Sequence, residues 1–267
     1  MPTVGIVSPG AMGSAVGAAL RRGGARVVAT TAGRSERTAR LAGGAGLELL
    51  PSVGEVVAAA DVVLSIVPPD QAEAVAAGLD GARLLADLNA ISPETARRIA
   101  PDVDGSISGG PPRESEPGRT TIYLSGPRAG EVAELPFDGV NVVVVGGEVG
   151  AASAVKMSTA SFYKGSVALL TQALRAADHY GVLDHVVRDL GDTAAGAGRR
   201  LSRSAAKSHR YVGEMREISA AQAAAGLDPA LFEAIAQVYA EIAATPLAQA
   251  APEDAGSDLA EALRLLR

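Results

Sequence analysis

The residues directly after the first apolar run could hold a phosphate group. Ser8-Pro9-Gly10-Ala11-Met12-Gly13 follows the strand-like stretch Thr3–Val7 and leads into a helical pattern over residues 14–20. Glycines between a strand and a helix let the backbone approach a pyrophosphate, and the helix N-terminus offers N–H groups to it. The dinucleotide-binding pattern GxGxxG has glycine where this chain has Ser8. The alternative is a turn without a ligand. We predict a dinucleotide site formed by Ser8, Pro9, Gly10, Ala11, Met12 and Gly13.

The end of the second strand-like run distinguishes between the two nicotinamide dinucleotides. An acidic residue there would bind the adenosine ribose hydroxyls and repel a 2′-phosphate. Here Arg26–Thr30 leads into Thr31, Arg34 and Ser35 with no acidic residue between them. A guanidinium and hydroxyls suit a phosphate, so NADP(H) is predicted as the cofactor, with NAD(H) less favoured. In the alternative interpretation Arg34 is simply solvated.

Lys156 is a candidate proton-exchanging group. It lies in the apolar run Ala151–Met157, where a lysine with a purely structural role would be costly to bury. Burial can lower the pKa of a lysine far enough for it to exchange protons near neutral pH. The alternative is a lysine that extends from a helix face into solvent.

The composition of the chain excludes several other chemistries. The 267 residues include no cysteine, which removes disulfides, thiolate nucleophiles and cysteine-based metal sites, and the three histidines have no metal-ligand spacing. A net charge of −6 argues against a nucleic-acid partner. The longest apolar stretches fall short of the ~20 residues of a membrane span, and the strand-like start leaves no room for a signal peptide. We expect a cytoplasmic protein that uses no metal.

Short β-branched runs alternate with alanine-rich helical stretches as far as Gly147. This alternation predicts right-handed crossovers and a mostly parallel sheet with helices on both faces. We predict an α/β dinucleotide-binding domain over residues 1–147. Its strands are predicted at Thr3–Val7, Arg26–Thr30, Val62–Val67, Leu84–Asp87, Asp104–Ser108, Thr121–Ser125 and Val142–Val145, and its helices include Gly13–Arg22, Glu36–Ala42 and Pro93–Ile99.

The pattern beyond Gly147 is helical, which predicts an all-helical domain for substrate binding and dimerisation over residues 148–267. Arg210 and Glu214 have the spacing of an ion pair within one helix. A helical domain this short would leave an amphipathic helix partly exposed in a monomer, so a homodimer is expected. The predicted helices are Gly150–Tyr180, Leu183–Gly191, Ser202–Gly226, Pro229–Ala243 and Ser257–Leu266.

Four segments resemble, in this order, motifs of the β-hydroxyacid dehydrogenase superfamily, which includes 3-hydroxyisobutyrate and 6-phosphogluconate dehydrogenases. The resemblance implies a Rossmann-type, mostly parallel sheet followed by an all-α, 6-phosphogluconate-dehydrogenase-like C-terminal domain of a short type. The segments are the loop beside the cofactor (Ile66–Pro69), the segment near the nicotinamide (Asp87–Pro93), the substrate loop (Asp104–Gly110) and the start of the interdomain helix (Gly150–Met157).

The resemblance also implies residue roles. Val67 and Pro68 would contact the cofactor. Asn89 would orient the substrate or the nicotinamide ribose, although it could instead cap the helix that begins near Pro93.

The substrate would be held between an anion-binding loop and a lysine. Ser108, Gly109 and Gly110 could bind a carboxylate through a hydroxyl and backbone N–H groups, the alternative being an ordinary turn. Lys156 matches the catalytic lysine of the family, and hydride transfer from a C–OH group requires such a proton acceptor.

The chain departs from the family pattern beyond this lysine. The family asparagine one turn later is Ala160 here, and the glutamate that 6-phosphogluconate dehydrogenase uses in decarboxylation is replaced by Tyr163. Tyr163 is a candidate phenolic proton donor, and Lys164 could hold an anionic group of the substrate. Alternatively, Tyr163 packs at a domain interface and Lys164 is solvated.

These features together predict an NADP-dependent oxidoreductase acting on a small hydroxy acid, oxo acid or related polar substrate, with Lys156 as general acid/base. The substrate is expected to be a small, anionic molecule. An imine reductase of the same architecture is the first alternative, and a non-catalytic NADP-binding sensor or scaffold is the second.

Overall fold

The computed structural model describes residues 1–249, 256 and 258–267 of the chain. Its contacts divide the chain into two compact units, residues 1–157 and residues 158–267. Both units contain fully buried apolar side chains, for example Ile6 and Leu64 in the first and Leu174 and Met215 in the second. The predicted boundary at residue 147 stays a prediction.

The first unit is built on one sheet of eight strands with the order β3-β2-β1-β4-β5-β6-β7-β8. Its inner strands are rich in valine, isoleucine and leucine, since branched side chains pack well on a pleated surface. The strands are β1 (Thr3–Val7), β2 (Arg26–Ala29), β3 (Glu48–Leu49), β4 (Val62–Ser65), β5 (Leu85–Asp87), β6 (Val103–Ser108), β7 (Thr121–Ser125) and β8 (Asn141–Gly146).

Most neighbouring strands run parallel, which confirms the predicted sheet type. β1 is parallel to β2 and β4, β4 to β5, and β5 to β6. β7 is antiparallel to β6 and parallel to β8. The chain therefore leaves β1, β2, β4, β5 and β6 at the same edge of the sheet. The strand order reverses between β1 and β4, where open α/β sheets bind their ligands.

Helices connect these strands, except that a loop joins β6 to β7. Every strand and helix predicted by name for this unit is present, with ends displaced by no more than two residues. The sequence did not reveal β3, whose two residues are exposed and carry no apolar run. The helices are α1 (Ala11–Arg22), α2 (Glu36–Gly44), α3 (Val53–Ala59), α4 (Ala72–Ala76), α5 (Pro93–Ile99) and α6 (Ala129–Ala133), with a short 3₁₀ helix at Pro69–Gln71.

The remaining elements are helical. The long helix α7 begins in the first unit and continues into the second. The helices are α7 (Ala151–His179), α8 (Leu183–Leu190), α9 (Ala197–Ala205), α10 (Ser208–Ala224), α11 (Ala230–Ala243) and α12 (Leu259–Leu265), with 3₁₀ turns at Gly191–Thr193 and Pro246–Gln249. Ser257, the predicted start of the last helix, lies outside the described residues.

The prediction of one helix over Ser202–Gly226 is wrong, because α9 ends at Ala205 and α10 begins at Ser208. The Ser208 hydroxyl donates a hydrogen bond of 2.7 Å to the Ala205 carbonyl. Serine competes in this way with the helical hydrogen-bond pattern of the backbone. The helix is interrupted at residues 206–207, and Leu201 in α9 and Met215 in α10 are both buried.

A helix that crosses a bilayer must be both long and apolar. In the described ranges, no helix combines the length and the apolar character needed to cross a bilayer.

Candidate active site

The turn after β1 has the form of a phosphate-binding cradle. α1 begins at Ala11, and its N-cap residue Gly10 provides no side chain to bond the first N–H groups of the helix. The Gly10 N–H donates to the Ser8 carbonyl at 2.8 Å, and the Ser14 hydroxyl donates to the Pro9 carbonyl at 2.6 Å. These bonds hold the turn against the helix, whose open N-terminus suits an anion.

The three key positions of this cradle have different steric requirements. Ser8 has φ +67°, a left-handed conformation that glycine adopts more readily, as expected where the fingerprint has glycine. A Cβ on Gly13 would lie 2.5 Å from the Ser8 carbonyl oxygen, so only glycine fits there. A Cβ on Gly10 would meet no described atom within 4 Å. The space over Gly10 is therefore open, and the residues present fit a dinucleotide pyrophosphate.

The loop after β2 carries cations on the surface. Arg34 is exposed, and it forms no salt bridge within the described ranges. The Ser35 hydroxyl accepts a 3.3 Å hydrogen bond from the Thr38 N–H and thereby caps α2. The Thr31 carbonyl accepts from the Arg34 N–H at 3.0 Å. The turn thus presents the Arg34 guanidinium to solvent, while the hydroxyl of Ser35 already has a structural partner.

Asn89 fastens the ends of β4 and β5 together. Its side-chain oxygen accepts from the Val67 N–H at 2.6 Å, and its amide donates to Asp87 at 2.8 Å and to the Ser65 hydroxyl at 3.1 Å. Asn89 is 2% exposed. Asn89 therefore stabilises the loop that begins at Val67. The contact with the substrate or the ribose that the sequence predicts for Asn89 stays a prediction. It is not a helix cap, because Ser92 caps α5.

Asp87 is a buried carboxyl whose importance the sequence did not reveal. It accepts hydrogen bonds from the backbone and side chain of Asn89. Burial, the largest cause, raises its pKa from 3.8 to about 7, and the neighbouring charge of Asp104 adds to the increase, while the hydrogen bonds of Asn89 and Ser65 oppose it. The carboxyl therefore gains or loses a proton near neutral pH.

This raised pKa predicts a pH-dependent stability. Between about pH 4 and pH 7 the folded chain keeps a proton on Asp87 that the unfolded chain has released, so the free energy of unfolding falls as the pH rises through this window. A shift of this size corresponds to a loss on the order of 4 kcal/mol. Urea unfolding at pH 5 and pH 8 should show about 3 kcal/mol of this fall in the wild type and none in Asp87→Asn. The exposed control Asp80→Asn should keep the wild-type fall; an equal fall in Asp87→Asn would contradict the assignment.

The loop after β6 suits an anionic group. Gly109 has φ +96°, and a Cβ there would lie 2.3 Å from the Arg119 carbonyl oxygen. The Thr120 hydroxyl fixes the loop by donating to the Gly110 carbonyl at 2.7 Å. Within the described residues the Ser108 hydroxyl forms no hydrogen bond, and Gly110 is exposed with open space where a side chain would be. A hydroxyl and exposed backbone thus lie at the end of β6.

The Lys156 side chain reaches the same strand end. Its Nζ donates to the Ile107 carbonyl at 2.7 Å, directly before Ser108. Burial lowers the pKa of this ammonium group below the ordinary value of 10.5. The structure thus brings together the predicted lysine and the predicted anion-binding loop within the first unit, and the lysine does not extend into solvent.

The predicted residues of the second unit have a different setting. Lys164 forms a salt bridge with Glu214 and lies 4.4 Å from the ring centroid of Tyr211. The pairing of Glu214 with Arg210 predicted from spacing is therefore corrected, and the Lys164 charge is balanced by a carboxylate. Tyr163 is 70% exposed. The substrate contact of Lys164 and the proton-donor role of Tyr163 stay predictions.

One set of polar residues at this site escaped the sequence analysis. Asp104, Ser106, Ser125 and Ser153 are fully buried and join β6 and β7 to the start of α7. The sequence signals were the place of Asp104 and Ser106 in the segment that resembles the family substrate loop and the unusual run of polar residues in the strand that ends at Ser108. No group of three or more histidine, aspartate or glutamate side chains suited to a metal occurs in the part of the chain that the structure describes.

Two family models match separate parts of the chain. Residues 3–94 match a model described as NADP oxidoreductase coenzyme F420-dependent, and residues 177–242 match a domain of unknown function. An uncharacterized 28.5 kDa protein of Methanothermus fervidus is 29% identical over 169 residues, which are 60% of this chain. The chain spans 65% of the length of that curated relative.

Solved structures match over most of the chain. The conserved protein MTH1747, of unknown function and structurally similar to 3-hydroxyacid dehydrogenases, is 31% identical over 90% of this chain and 96% of its own, with a TM-score of 0.66. A 3-hydroxyisobutyrate dehydrogenase of Mycobacterium tuberculosis is 20% identical, covering 100% and 99% of the two chains, with a TM-score of 0.66. An imine reductase of Myxococcus stipitatus in complex with NADP⁺ is 20% identical, covering 100% of both chains, with a TM-score of 0.54. The likeness to the last two is one of fold.

The sheet order, the glycine turn after β1 and the helices that follow the sheet define a Rossmann-type α/β protein with a helical C-terminal part. The chain belongs to the β-hydroxyacid dehydrogenase-like superfamily of oxidoreductases. The family predicted from the four sequence segments is thereby confirmed.

Proposed function

We propose that this protein is an NADP(H)-dependent oxidoreductase that acts on a small hydroxy acid, oxo acid or related polar substrate, with Lys156 as general acid/base. The observation that carries the proposal is the 2.7 Å hydrogen bond from the Lys156 Nζ to the Ile107 carbonyl. It fixes a half-buried amine beside Ser108, at the sheet edge where the cradle of Ser8–Gly13 also lies.

The lysine moves a proton at the reacting oxygen of the substrate. A bound nicotinamide dinucleotide would supply or accept the hydride. The neutral Lys156 amine accepts the hydroxyl proton as a carbonyl forms, and the ammonium returns it in the opposite direction. Burial favours the neutral form by lowering the lysine pKa. The Ile107 carbonyl accepts a hydrogen bond from the same nitrogen and so fixes its position.

The loop after β6 would hold the anionic end of the substrate. The Ser108 hydroxyl and the backbone N–H groups of Gly109 and Gly110 can donate hydrogen bonds to an anion. The two glycines are exposed and have no side chains that would keep an anion away from the backbone. We therefore propose a substrate that carries a carboxylate or a similar anion close to the carbon that reacts.

Arg34 supports the preference for NADP(H) over NAD(H), because its guanidinium is exposed at the end of β2. We expect Arg34→Ala to lower the ratio of kcat/KM with NADPH to that with NADH by about 10- to 100-fold, the value of one charge-assisted phosphate contact. Arg40→Ala is the matched control, because Arg40 is a nearby cation that pairs with Glu36 at 3.7 Å. An unchanged ratio in Arg34→Ala would exclude this residue as the 2′-phosphate contact.

The proposed activity is tested by hydride transfer with a panel of substrates. NADPH deuterated at C4 is incubated with oxo acids and with cyclic imines, and mass spectrometry follows the label into the product. Labelled hydroxy acids are expected. Labelled amines would instead support an imine reductase, whose fold this chain shares. NADPH binding without transfer to either class would indicate a sensor or scaffold.

We further propose a homodimer located in the cytoplasm. Phe162, Tyr163 and Leu169 are large apolar side chains of α7 that are exposed by 71%, 70% and 62%. Exposed apolar clusters of this kind mark surfaces that a partner covers. A second copy of the chain is the partner that fits the short helical domain.

A further inference from the structure

We propose that Asp104 is a positioning residue, whose buried carboxylate holds the start of α7 so that Lys156 reaches the end of β6. The proposal rests on the function proposed for Lys156. Asp104 lies in β6 and is 0% exposed.

The Asp104 carboxylate binds the first turn of α7 through several donors. One oxygen accepts from the Gly150 N–H at 2.9 Å and from the Ser153 N–H at 3.0 Å. The other accepts from the Ser153 hydroxyl at 2.6 Å. The Ser125 hydroxyl of β7 adds a further bond of 2.9 Å. A carboxylate at this place satisfies N–H groups that a helix N-terminus leaves without partners, and its charge suits the positive end of the helix dipole.

Two further hydrogen bonds join later residues of β6 to α7. The Ser106 hydroxyl donates to the Ala152 carbonyl at 2.8 Å, and the Ile107 carbonyl accepts from the Lys156 Nζ at 2.7 Å. Three residues of β6 are therefore attached to the first two turns of α7. Ser106 lies two residues after Asp104, on the same face of the strand.

The lengths of the two segments agree. Three residue steps along β6, from Asp104 to Ile107, span about 10 Å. Six steps along the helix, from Gly150 to Lys156, span about 9 Å. The attachment of Gly150 to Asp104 is thus compatible with a Lys156 whose side chain reaches the Ile107 carbonyl. A slip of one helical turn, about 5.4 Å, would withdraw the lysine from Ile107.

The test is the isosteric variant Asp104→Asn, which removes the negative charge and replaces one of the two acceptor oxygens with an NH₂ donor. We expect kcat to fall about 100-fold, as a misplaced catalytic group does, with the KM for NADPH unchanged. The pH profile of kcat should move to higher pH, because a less buried Lys156 regains a higher pKa. A folded variant with wild-type kcat and pH profile would overturn the proposal.

Two comparisons separate positioning from general loss of stability. Val132→Ala opens a space in the core of the same unit, where Val132 is fully buried. It should lower the melting temperature without moving the pH profile. Ser153→Ala removes one of the bonds to the Asp104 carboxylate and should act in the same direction as Asp104→Asn, with a smaller effect. If Asp104→Asn does not fold, Ser153→Ala decides, and its wild-type kcat and pH profile would then count against the proposal.

A readout without turnover distinguishes this proposal from the proposed function. The chain has three lysines, Lys156, Lys164 and Lys207. NMR of protein labelled with ¹³C at the lysine Cε therefore gives three titration curves, and the one missing in Lys156→Met belongs to Lys156. Asp104→Asn should raise the Lys156 pKa. If the wild type transfers no hydride but this rise occurs, the proposed function fails and the positioning role stands; if the curve does not move, the positioning role fails.

Discussion

Replacing Lys156 with methionine is expected to lower kcat about a thousandfold, the usual contribution of a general acid/base, while NADPH binds as in the wild type. Methionine is unbranched and of similar length, so it occupies the apolar surroundings of the lysine stem. It cannot take up the substrate proton or donate to the Ile107 carbonyl, which the Lys156 Nζ contacts at 2.7 Å. Single-turnover hydride transfer measures the loss, and fluorescence titration with NADPH measures the retained binding.

Two further variants test whether the loss of activity is specific to proton transfer by Lys156. Lys156→Arg keeps a cation and a hydrogen-bond donor, but a guanidinium does not give up its proton, so its kcat should be as low as that of Lys156→Met. Lys207→Met is the matched control, because burial also lowers the pKa of Lys207. Its kcat should equal that of the wild type. Wild-type turnover in Lys156→Met would remove the lysine from the mechanism.

The sequence predicted the parts of this site that depend on local patterns. The cradle from Ser8 to Gly13 was predictable because a strand, a glycine turn and a helix follow each other without a gap. Lys156 was predictable because an ammonium group stood in an apolar run. The open space at Gly10 and the left-handed conformation of Ser8 agree with this local logic.

Most of the parts that escaped prediction depend on contacts between distant residues. Asp104 is 49 positions from Ser153 in the chain, and no local sequence pattern indicates the hydrogen bond between them. Lys164 pairs with Glu214, although the spacing of Arg210 and Glu214 favoured a pair within one helix. The break between α9 and α10 also depends on a side-chain hydrogen bond of Ser208, which a hydrophobic pattern does not reveal. Contacts between distant residues decided the first two outcomes, and a local side-chain hydrogen bond accompanies the third.

Two alanine variants of the cradle should separate a glycine needed for ligand approach from a glycine needed for packing. Gly10 has φ −71°, which alanine adopts without strain, and an added Cβ meets no described atom within 4 Å. Gly10→Ala should therefore keep the wild-type melting temperature. Its methyl group would occupy the space through which the backbone approaches the pyrophosphate. Crowding of about 1–3 kcal/mol would weaken NADPH binding by about 10- to 100-fold.

Gly13→Ala should differ, because its Cβ would lie 2.5 Å from the Ser8 carbonyl oxygen and 3.2 Å from a methyl group of Ile6. The turn must then move away from α1, so the variant should lose about 1–3 kcal/mol of stability as well as NADPH affinity. Thermal melting and calorimetric titration with NADPH measure both effects in both variants. Unchanged NADPH affinity in Gly10→Ala would show that the pyrophosphate lies elsewhere, whereas equal destabilisation of both variants would show that Gly10 serves the packing of the turn.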